Sequence, residues 1–276
     1  MASAEHLAAR KRDHLRIAAG GDVVHRRGAG FEALRLRHRA LPERDLGDVA
    51  LDVELLGASL RAPLMVSAMT GGTGEAATVN DRLARAAAEH GVAMTLGSGR
   101  ALLDDPSLRD TYGPRGADAR PPLLLANLGA GQLRGPDGPA RAERLVELLD
   151  ADGLSLHLNP LQEAVQPEGQ AAFAGVAERL AAAVARLAPR PVVVKEVGFG
   201  MDAADVALVR DAGVAAVDVA GAGGTNWALV EGARDPRAGD LAAAFADWGV
   251  CTVDALRAAR AAAPDLPTIA SGGVRD

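Results

Sequence analysis

The sequence predicts an α/β fold in which helices cover a parallel sheet. Short runs rich in Val and Leu recur along the chain, and segments with helical spacing of apolar residues separate them. Apolar strands that alternate with amphipathic helices are typical of βα units, whose sheets are buried on both faces. Gly-rich or polar groups follow many of these strands instead of gathering at one crevice. This distribution favours a TIM (β/α)8 barrel over a doubly wound sheet.

Seven strands are predicted, at 63–67, 93–97, 122–128, 153–158, 191–197, 215–219 and 268–271. The helical pattern is clearest in "AERLVELLDA", "AAFAGVAERLAAAVARLA" and "AADVALVRDAG", and Gly213 is the expected C-cap of the last. Because a closed barrel of this kind has eight strands, we expect the barrel to be truncated after its seventh strand. Residues 1–60 are expected to form an N-terminal extension with short helices and a hairpin in "DVALDVELLGASL", and residues 61–276 the barrel.

Composition excludes several functional classes. Aromatic residues make up 3% of the 276 residues, which argues against binding single-stranded nucleic acid by base stacking. The net charge of −6 gives no general attraction for nucleic acid. Cys251 is the single cysteine, so disulfides within the chain and Cys-based zinc sites are excluded. No segment resembles a signal peptide or a membrane helix, and we expect a cytoplasmic protein without a membrane or nucleic-acid partner.

The segment "SLHLNPLQEAVQPEG" (155–169) places His157, Asn159, Gln162 and Glu163 where an apolar strand ends. Such side chains either cap a turn or face a polar ligand. Mg²⁺ is often held by one or two carboxylates together with substrate phosphates and water. Glu163 fits that pattern, and His157 and Gln162 could orient a diphosphate or its carbon chain at the same barrel mouth. The sequence therefore favours a ligand site over a turn.

Two glycine loops and one lysine suggest an anion site. "SGGVRD" after the seventh strand would present backbone N–H groups and Arg275 to a phosphate, as barrels commonly do at this position. "GAGGT" follows the preceding strand, and two such loops on consecutive strands favour phosphate binding over plain turns. Lys195 lies in the apolar run "PVVVKEVG" and needs a partner if it is buried. That partner is Asp218 or Glu196 in a salt bridge, or else Lys195 forms a Schiff base or lies beside a cofactor ring.

The N-terminal segment "ARKRDHLRIA" brings Arg10, Lys11 and His14 within about one helical turn. These residues form either a solvated basic face or a site for an anionic substrate. The other histidines and the tryptophans show no such pattern. We expect surface positions for the former and core or interface positions for the latter: His6, His25 and His90, and Trp227 and Trp248.

Taken together, these motifs resemble the type 2 isopentenyl-diphosphate Δ-isomerases, which are FMN-dependent. The resemblance runs through "RKRDH", "HRALPE", "SAMTGG", "GSGR", "HLNPLQE", "KEVGFGM", "GAGGTNW" and "SGGVRD", and so covers nearly the whole chain. It implies an FMN-binding TIM barrel that interconverts isopentenyl and dimethylallyl diphosphate. It also implies a flavin reduced by NADPH, a requirement for Mg²⁺, and an acid/base role for the reduced flavin in isoprenoid biosynthesis. We further expect a homo-oligomer.

The resemblance also assigns roles to residues, motif by motif. His157 and Gln162 match catalytic positions in the substrate site, and Glu163 matches the Mg²⁺ ligand. Substrate-binding positions are Arg10, Lys11, Ser98, Arg100 and Gln162. FMN-binding positions are Ala68, Met69, Thr70, Ser98, Asn127, Lys195, Thr225, Gly272, Gly273 and Arg275.

Two departures from the family pattern matter. Gly99 stands in "GSGR" where a bulkier polar residue is more usual, so we expect a looser loop. The family also continues beyond "GGVRD" through an eighth strand that completes the FMN phosphate site, and we expect a chain without it to be less stable and to hold FMN weakly. The competing hypotheses are another FMN-dependent barrel oxidoreductase and an inactive truncated remnant.

Overall fold

A computed structural model of the chain describes residues 4–275, and the side chains from residue 9 onwards. The chain forms ten helices and nine strands within this range. In order they are α1 (Ala4–Gly20), β1 (Val53–Leu55), β2 (Ala58–Leu60), β3 (Met65–Val66), α2 (Gly74–His90), β4 (Ala93–Thr95), α3 (Arg100–Asp104), β5 (Leu124–Gly129), α4 (Gly138–Leu149), β6 (Gly153–Leu158), α5 (Pro160–Val165), α6 (Val176–Leu187), β7 (Val192–Glu196), α7 (Ala203–Asp211), β8 (Ala216–Asp218), α8 (Trp227–Arg234), α9 (Gly239–Ala244), α10 (Thr252–Ala262) and β9 (Thr268–Ile269).

Strands β3 to β9 form one parallel sheet in which every strand pairs with the next along the chain. The sheet is curled into a TIM-barrel-like half-barrel, which confirms the predicted fold class. All seven predicted strands are present, with ends that differ by up to two residues. Strands β1 and β2 form the expected antiparallel hairpin. Among residues 4–275, no helix is long and apolar enough to cross a bilayer.

Alternation along the strands divides the core in two. In β5, Leu124, Ala126 and Leu128 pack with residues of the surrounding helices in the largest apolar cluster. Leu125 belongs instead to a second cluster, where it meets Leu60 of the hairpin. Because side chains alternate between the two faces of a strand, Asn127 and Gly129 lie on the same face as Leu125. The hairpin therefore packs against the inner face at Leu125, and polar side chains occupy the same face nearer the carboxyl end of the strand.

The loops that follow β3 and β4 pack directly on each other. Gly97 lies so close to Thr70 that a Cβ on Gly97 would come within 2.2 Å of the Thr70 carbonyl oxygen and 2.6 Å of its nitrogen. Backbone atoms cannot rotate away as the end of a side chain could. Glycine is therefore required at 97, and the "MTGG" and "GSGR" loops are held together by backbone contact.

Gly97→Ala should destabilise the fold because the added methyl group overlaps the backbone of Thr70. We expect a loss of about 1–3 kcal/mol in the free energy of unfolding, the usual cost of overpacking. Thermal and urea denaturation measure it. Gly47→Ala is the matched control, since nothing lies within 4 Å of a Cβ at that position. Equal stability of the two variants would contradict the close approach of the loops.

Candidate functional site

A cavity of about 510 Å³ opens at the carboxyl ends of the parallel strands. The loops after β3, β4, β5, β6, β7, β8 and β9 contribute to its wall, and α1 of the N-terminal segment lies across it. The lining includes nearly all the residues singled out in the sequence: Arg10, Lys11, Ala68, Met69, Ser98, Arg100, Asn127, His157, Gln162, Glu163, Lys195, Thr225, Gly272, Gly273 and Arg275.

Strand register brings the central polar side chains to one level. Gly129 pairs with His157, His157 with Lys195, and Lys195 with Asp218. All four residues lie on the inner face, so they form a single layer at the base of the cavity. Gly129 leaves room for its neighbour, because a Cβ there would lie 2.9 Å from His157 Nε2.

His157 is a neutral side chain in a fixed orientation. Its Nδ1 lies 2.9 Å from Asn127 Oδ1, while Asn127 Nδ2 donates to Ser155 Oγ at 3.4 Å. Since the amide oxygen can only accept, His157 Nδ1 carries the hydrogen and Nε2 is left as an acceptor. Burial, reinforced by the charges of Lys11 and Lys195, lowers the pKa of His157 to about 3. The ring is therefore uncharged at neutral pH.

Lys195 forms a salt bridge and also lines the cavity. Its Nζ lies 3.1 Å from Asp218 Oδ2 and donates to Ser271 Oγ at 3.2 Å. Ser271 Oγ in turn donates to Asp218 Oδ1 at 2.5 Å. Of the two structural partners considered from the sequence, Asp218 is the one observed. Glu196 instead accepts hydrogen bonds from the backbone of Gly198 to Gly200, at 2.5–3.2 Å.

Sequence reasoning missed the buried carboxylate of Glu231 on α8. It is fully buried and lies 3.0 Å from His14 Nε2, accepts from Gln162 Nε2 at 2.8 Å, and accepts from Arg234 Nε at 2.8 Å. Burial alone would raise the pKa of Glu231, but hydrogen bonds from His14 and Gln162 and the charge of Arg234 lower it overall. Glu231 thus connects α1, α5 and α8. The signal in the sequence was a Glu and an Arg three residues apart in an otherwise apolar helix.

The cavity wall carries a local excess of positive charge, although the whole chain is negative. The lining includes one carboxylate, Glu163, and five cationic side chains: Arg10, Lys11, Arg100, Lys195 and Arg275. Lys195 is neutralised by Asp218. The remaining cations leave the lining with more positive than negative side chains, a balance that would suit an anion.

Lys11 is buried, yet it forms no ion pair with any residue from 9 to 275. Burial, together with the neighbouring charge of Arg10, lowers its pKa to about 8. The side chain of Arg10 is also incompletely paired, because its buried Nε has no hydrogen-bond partner among the described residues. Burial lowers the pKa of Arg10 as well, against the attraction of Glu168 and Glu231. Both groups would gain from an anion in the cavity.

The two glycine loops expose unused backbone donors to the same cavity. The N–H groups of Gly224, Gly272 and Gly273 donate to no described residue. Gly272 has φ +93°, and a Cβ there would overlap the carbonyl of Gly221, so the loops cross closely only because both carry glycine. Backbone N–H groups clustered in this way fit a phosphate.

Glu163 is the one predicted metal ligand, and it stands apart from other ligand types. Its Oε1 accepts from Asn159 at 3.1 Å, and its Oε2 accepts from the backbone of Gln170 at 2.5 Å. Within the described part of the chain, no group of three or more His, Cys, Asp or Glu residues could hold a metal ion. A divalent cation would therefore need most of its ligands from a substrate and water.

Of the predicted flavin positions, Thr70 is buried and is not part of the cavity lining, and its Oγ1 has no partner among the described residues. Two other expectations differ from the structure. His25 was expected at the surface but is buried, with Nε2 2.8 Å from the carbonyl oxygen of Gly198. The loop at Gly99 is closely packed, because Leu145 of α4 occupies the space of the absent side chain. His6 lies outside the described side chains, and His90 is exposed as expected.

The tryptophans differ from one another. Trp227 lines the cavity and packs edge-on against His14, with ring centroids 5.2 Å apart. Trp248 is exposed and contacts Phe245. The wall of the cavity therefore combines cations with apolar surface, which Met69, Val197 and Trp227 provide.

Comparison with known proteins gives consistent matches. The model of the FMN-dependent dehydrogenase family matches residues 3–102. The isopentenyl-diphosphate delta-isomerase of Xanthobacter autotrophicus is 51% identical over 272 residues, which cover 96% of this chain and 78% of that protein. The isomerases of the same name from Stutzerimonas stutzeri and Nostoc sp. are 48% and 45% identical and cover 99% and 97% of this chain. The matches cover 80% and 77% of those two proteins.

Glu231→Gln should lower stability at pH 7 by about 3 kcal/mol, because it removes the charge from a buried ion pair. The folded pKa of Glu231 is lowered, so its ionised form contributes stability above the ordinary pKa of 4.5, and that contribution is lost as the pH falls through the folded value. The gap between wild type and variant should therefore narrow below pH 4.5. Urea denaturation from pH 3 to pH 7 measures this.

The matched control is Glu143→Gln, which removes a carboxylate from a surface pair with Arg186. It should cost at most about 1 kcal/mol at pH 7. A Glu231 variant as stable as the Glu143 variant would contradict the central position of Glu231.

Proposed function

Because the chain belongs to the isopentenyl-diphosphate delta-isomerase family, we propose that this isomerase interconverts isopentenyl and dimethylallyl diphosphate in the cavity, with reduced FMN bound beside the substrate. The observation that carries the proposal is the largely buried side chain of Lys11, which forms no ion pair with a described residue and, together with Arg10, lines a cavity with more cations than carboxylates. A diphosphate provides the missing negative charge. NADPH is the proposed reductant of the flavin.

The substrate diphosphate is assigned to Arg10, Lys11, Ser98 and Arg100. Arg10 and Lys11 are adjacent on α1, and Arg100 begins α3, close enough for its charge to lower the pKa of Arg10. An anion between them would raise the pKa of Lys11 towards its ordinary value, because opposite charge favours the ionised form. Substrate binding would therefore add to the contacts that hold α1 against the barrel.

Several features support FMN in the same cavity. The unused N–H groups of Gly224, Gly272 and Gly273, with Arg275 nearby, suit its phosphate. Lys195 and Asn127 line the cavity and offer donors to the flavin ring. Ala68, Met69, Ser98 and Thr225 complete the proposed set. Reduced FMN supplies an electron-rich ring with a position that can accept and return a proton during allylic isomerisation.

The protein's own groups orient the reacting carbons. His157 is neutral and held by Asn127, so its free Nε2 can accept a hydrogen but cannot act as a positively charged acid at pH 7. Gln162 is fixed by its bond to Glu231. We therefore assign His157 and Gln162 to positioning the substrate beside the flavin. Apolar wall residues would surround the hydrocarbon, where charge develops away from water.

Mg²⁺ would be held by few protein groups. Glu163 supplies one carboxylate at the cavity wall, and the other ligands would come from the diphosphate and water. In this arrangement the metal binds together with the substrate. Glu163 would then affect metal dependence without affecting the flavin.

The second candidate is an FMN-dependent oxidoreductase, which the family match at residues 3–102 favours. Anaerobic incubation with isopentenyl diphosphate, Mg²⁺ and pre-reduced FMN separates the two. An isomerase makes dimethylallyl diphosphate over many turnovers without consuming reductant. Oxidation of the flavin in proportion to product would support the oxidoreductase, and a colourless protein without turnover would support the inactive remnant.

Lys11→Met should raise the KM for isopentenyl diphosphate about tenfold or more, as expected for a hydrogen bond to a charged group. The melting temperature should rise at the same time, because the variant no longer buries an unpaired charge. FMN affinity should be unchanged. Steady-state kinetics, thermal melting and flavin fluorescence titration measure these three quantities.

Arg12→Met is the control for Lys11, since Arg12 is the next residue of α1 but is exposed. It removes the same charge and should change neither KM nor melting temperature. If Lys11→Met weakens FMN and substrate equally, or if both variants behave alike, Lys11 does not bind the diphosphate.

Lys195→Met should weaken FMN at least about tenfold and lower the acidity of the reduced flavin, because a cation beside the ring favours its anionic form. Fluorescence titration gives the affinity, and the pH dependence of the reduced-flavin spectrum gives the ionisation. Lys11→Met provides the comparison, since it removes a cavity lysine not assigned to the flavin. Unchanged affinity and ionisation in Lys195→Met would remove Lys195 from the cofactor site.

A further inference from the structure

The end of α5 holds one side chain of the cavity wall, that of Gln166, at a fixed point. Pro167 disfavours helical backbone at the residue before it, so α5 ends at Val165 and Gln166 is extended, with φ −66° and ψ 127°. The backbone N–H of Gln166 donates to the carbonyl oxygen of Gln162, and its carbonyl oxygen accepts from Gly169, both at 2.9 Å. Gln166 lines the cavity, although it is only 6% exposed. The backbone on both sides of the residue therefore limits where its amide can reach.

The amide of Gln166 joins Arg10 of α1 to Glu231 of α8. Its oxygen accepts from Arg10 Nη1 at 3.1 Å, and its nitrogen donates to Glu231 Oε1 at 3.2 Å. The two neighbours require this orientation, since a guanidinium can only donate and an ionised carboxylate can only accept. Gln166 is thus a hydrogen-bonded spacer between a cation and an anion.

This arrangement leaves the charge of Arg10 unpaired. No carboxylate of the described residues forms a salt bridge with Arg10. Glu168 and Glu231 attract Arg10, but each of them pairs with Arg234, at 2.8 Å. A carboxylate binds a guanidinium through charge-assisted and often paired hydrogen bonds, whereas the amide of Gln166 contributes one hydrogen bond and no charge. The protein therefore orients Arg10 without neutralising it.

We propose that Gln166 is a positioning residue for the substrate diphosphate, which acts by holding the guanidinium of Arg10 while leaving its charge to the ligand. The inference rests on the proposed function, in which Arg10 binds the diphosphate. A side chain that is already held loses less conformational freedom when the ligand binds. Without the amide, Arg10 could turn towards Glu231 or Glu168, and this pairing would withdraw its charge from the cavity. A carboxylate at position 166 would neutralise Arg10 directly, so the position requires a polar side chain without charge.

Gln166→Glu and Gln166→Leu test the two parts of this role in the complete chain. Gln166→Glu keeps the shape of the side chain but sets a carboxylate against Arg10, where it competes with the diphosphate. We expect its Kd for inorganic diphosphate, measured by isothermal titration calorimetry, to rise at least about tenfold. Gln166→Leu removes the hydrogen bond without adding charge, and its Kd should rise about threefold. The KM for isopentenyl diphosphate should follow the same order, while kcat and the Kd for FMN stay within about twofold of wild type.

Gln132→Glu is the matched control, because Gln132 also lines the cavity but lies in the turn that follows β5. It adds the same charge to the cavity wall without placing it against Arg10. Its Kd for inorganic diphosphate should therefore rise less than about threefold, as expected for a charge that acts only at a distance. Equal effects of Gln166→Glu and Gln132→Glu would overturn the proposal, and so would equal losses of diphosphate and FMN affinity in the Gln166 variants.

A double-mutant cycle with Arg10→Met shows whether Gln166 acts through Arg10. Arg10→Met alone should raise the Kd for inorganic diphosphate at least about tenfold. Gln166→Leu should have no further effect in that background, because the effects of residues in contact are not additive. Circular dichroism establishes which variants fold, and Gln166→Leu with this cycle decides the question if Gln166→Glu does not fold.

The cycle also separates this inference from the proposed function. Wild-type affinity in Arg10→Met would overturn both, because the diphosphate would then not bind to Arg10. Weakened binding in Arg10→Met together with wild-type binding in Gln166→Leu would overturn the role of Gln166 alone. The same conclusion would follow if Gln166→Leu kept its full effect in the Arg10→Met background.

Discussion

The register of the parallel strands is the constraint on which the site depends. Pairing of Gly129 with His157, of His157 with Lys195 and of Lys195 with Asp218 places these residues in one inward-facing layer. A slip of one residue in any strand would turn its polar side chain towards the helices and bring an apolar one into the cavity. The apolar residues that alternate with these polar ones prevent such a slip, because Leu156 and Val194 are buried on the outer face of the sheet. Packing of the outer core thus fixes the chemistry of the inner face.

Much of this organisation was predictable from the sequence. The strands were found because each is a short apolar run, and their order is simply the order along the chain. Polar residues at strand ends also indicated the cavity, because parallel strands bring all their carboxyl ends to one side. Glu231 was not found, since its partners His14 and Gln162 are distant in sequence and no local pattern marks a carboxylate that joins three helices. His25 was misplaced for the same reason: its partner Gly198 lies far along the chain.

Gly99 shows how a local departure can be absorbed elsewhere. A missing side chain in the "GSGR" loop suggested looseness, but Leu145 occupies the space from α4. The backbone N–H of Gly99 also donates to the carbonyl of Asn127, at 2.8 Å, so the loop is tied to the layer that holds His157. Packing density, which sequence does not report, decides whether a small residue loosens a loop.

The buried charges divide into those that the fold satisfies and those that it leaves for a ligand. Asp218 is matched by Lys195, and Glu231 by Arg234 and His14. Burial raises the pKa of Glu196 to about 7. Its carboxylate accepts hydrogen bonds from three backbone N–H groups, which hold the "KEVGFG" turn. Lys11 and the buried Nε of Arg10 have no such partners among the described residues. Burying an unpaired cation costs free energy. That cost is removed when an anion binds, so the unpaired cations favour a multiply charged anion such as a diphosphate over neutral ligands of the same size.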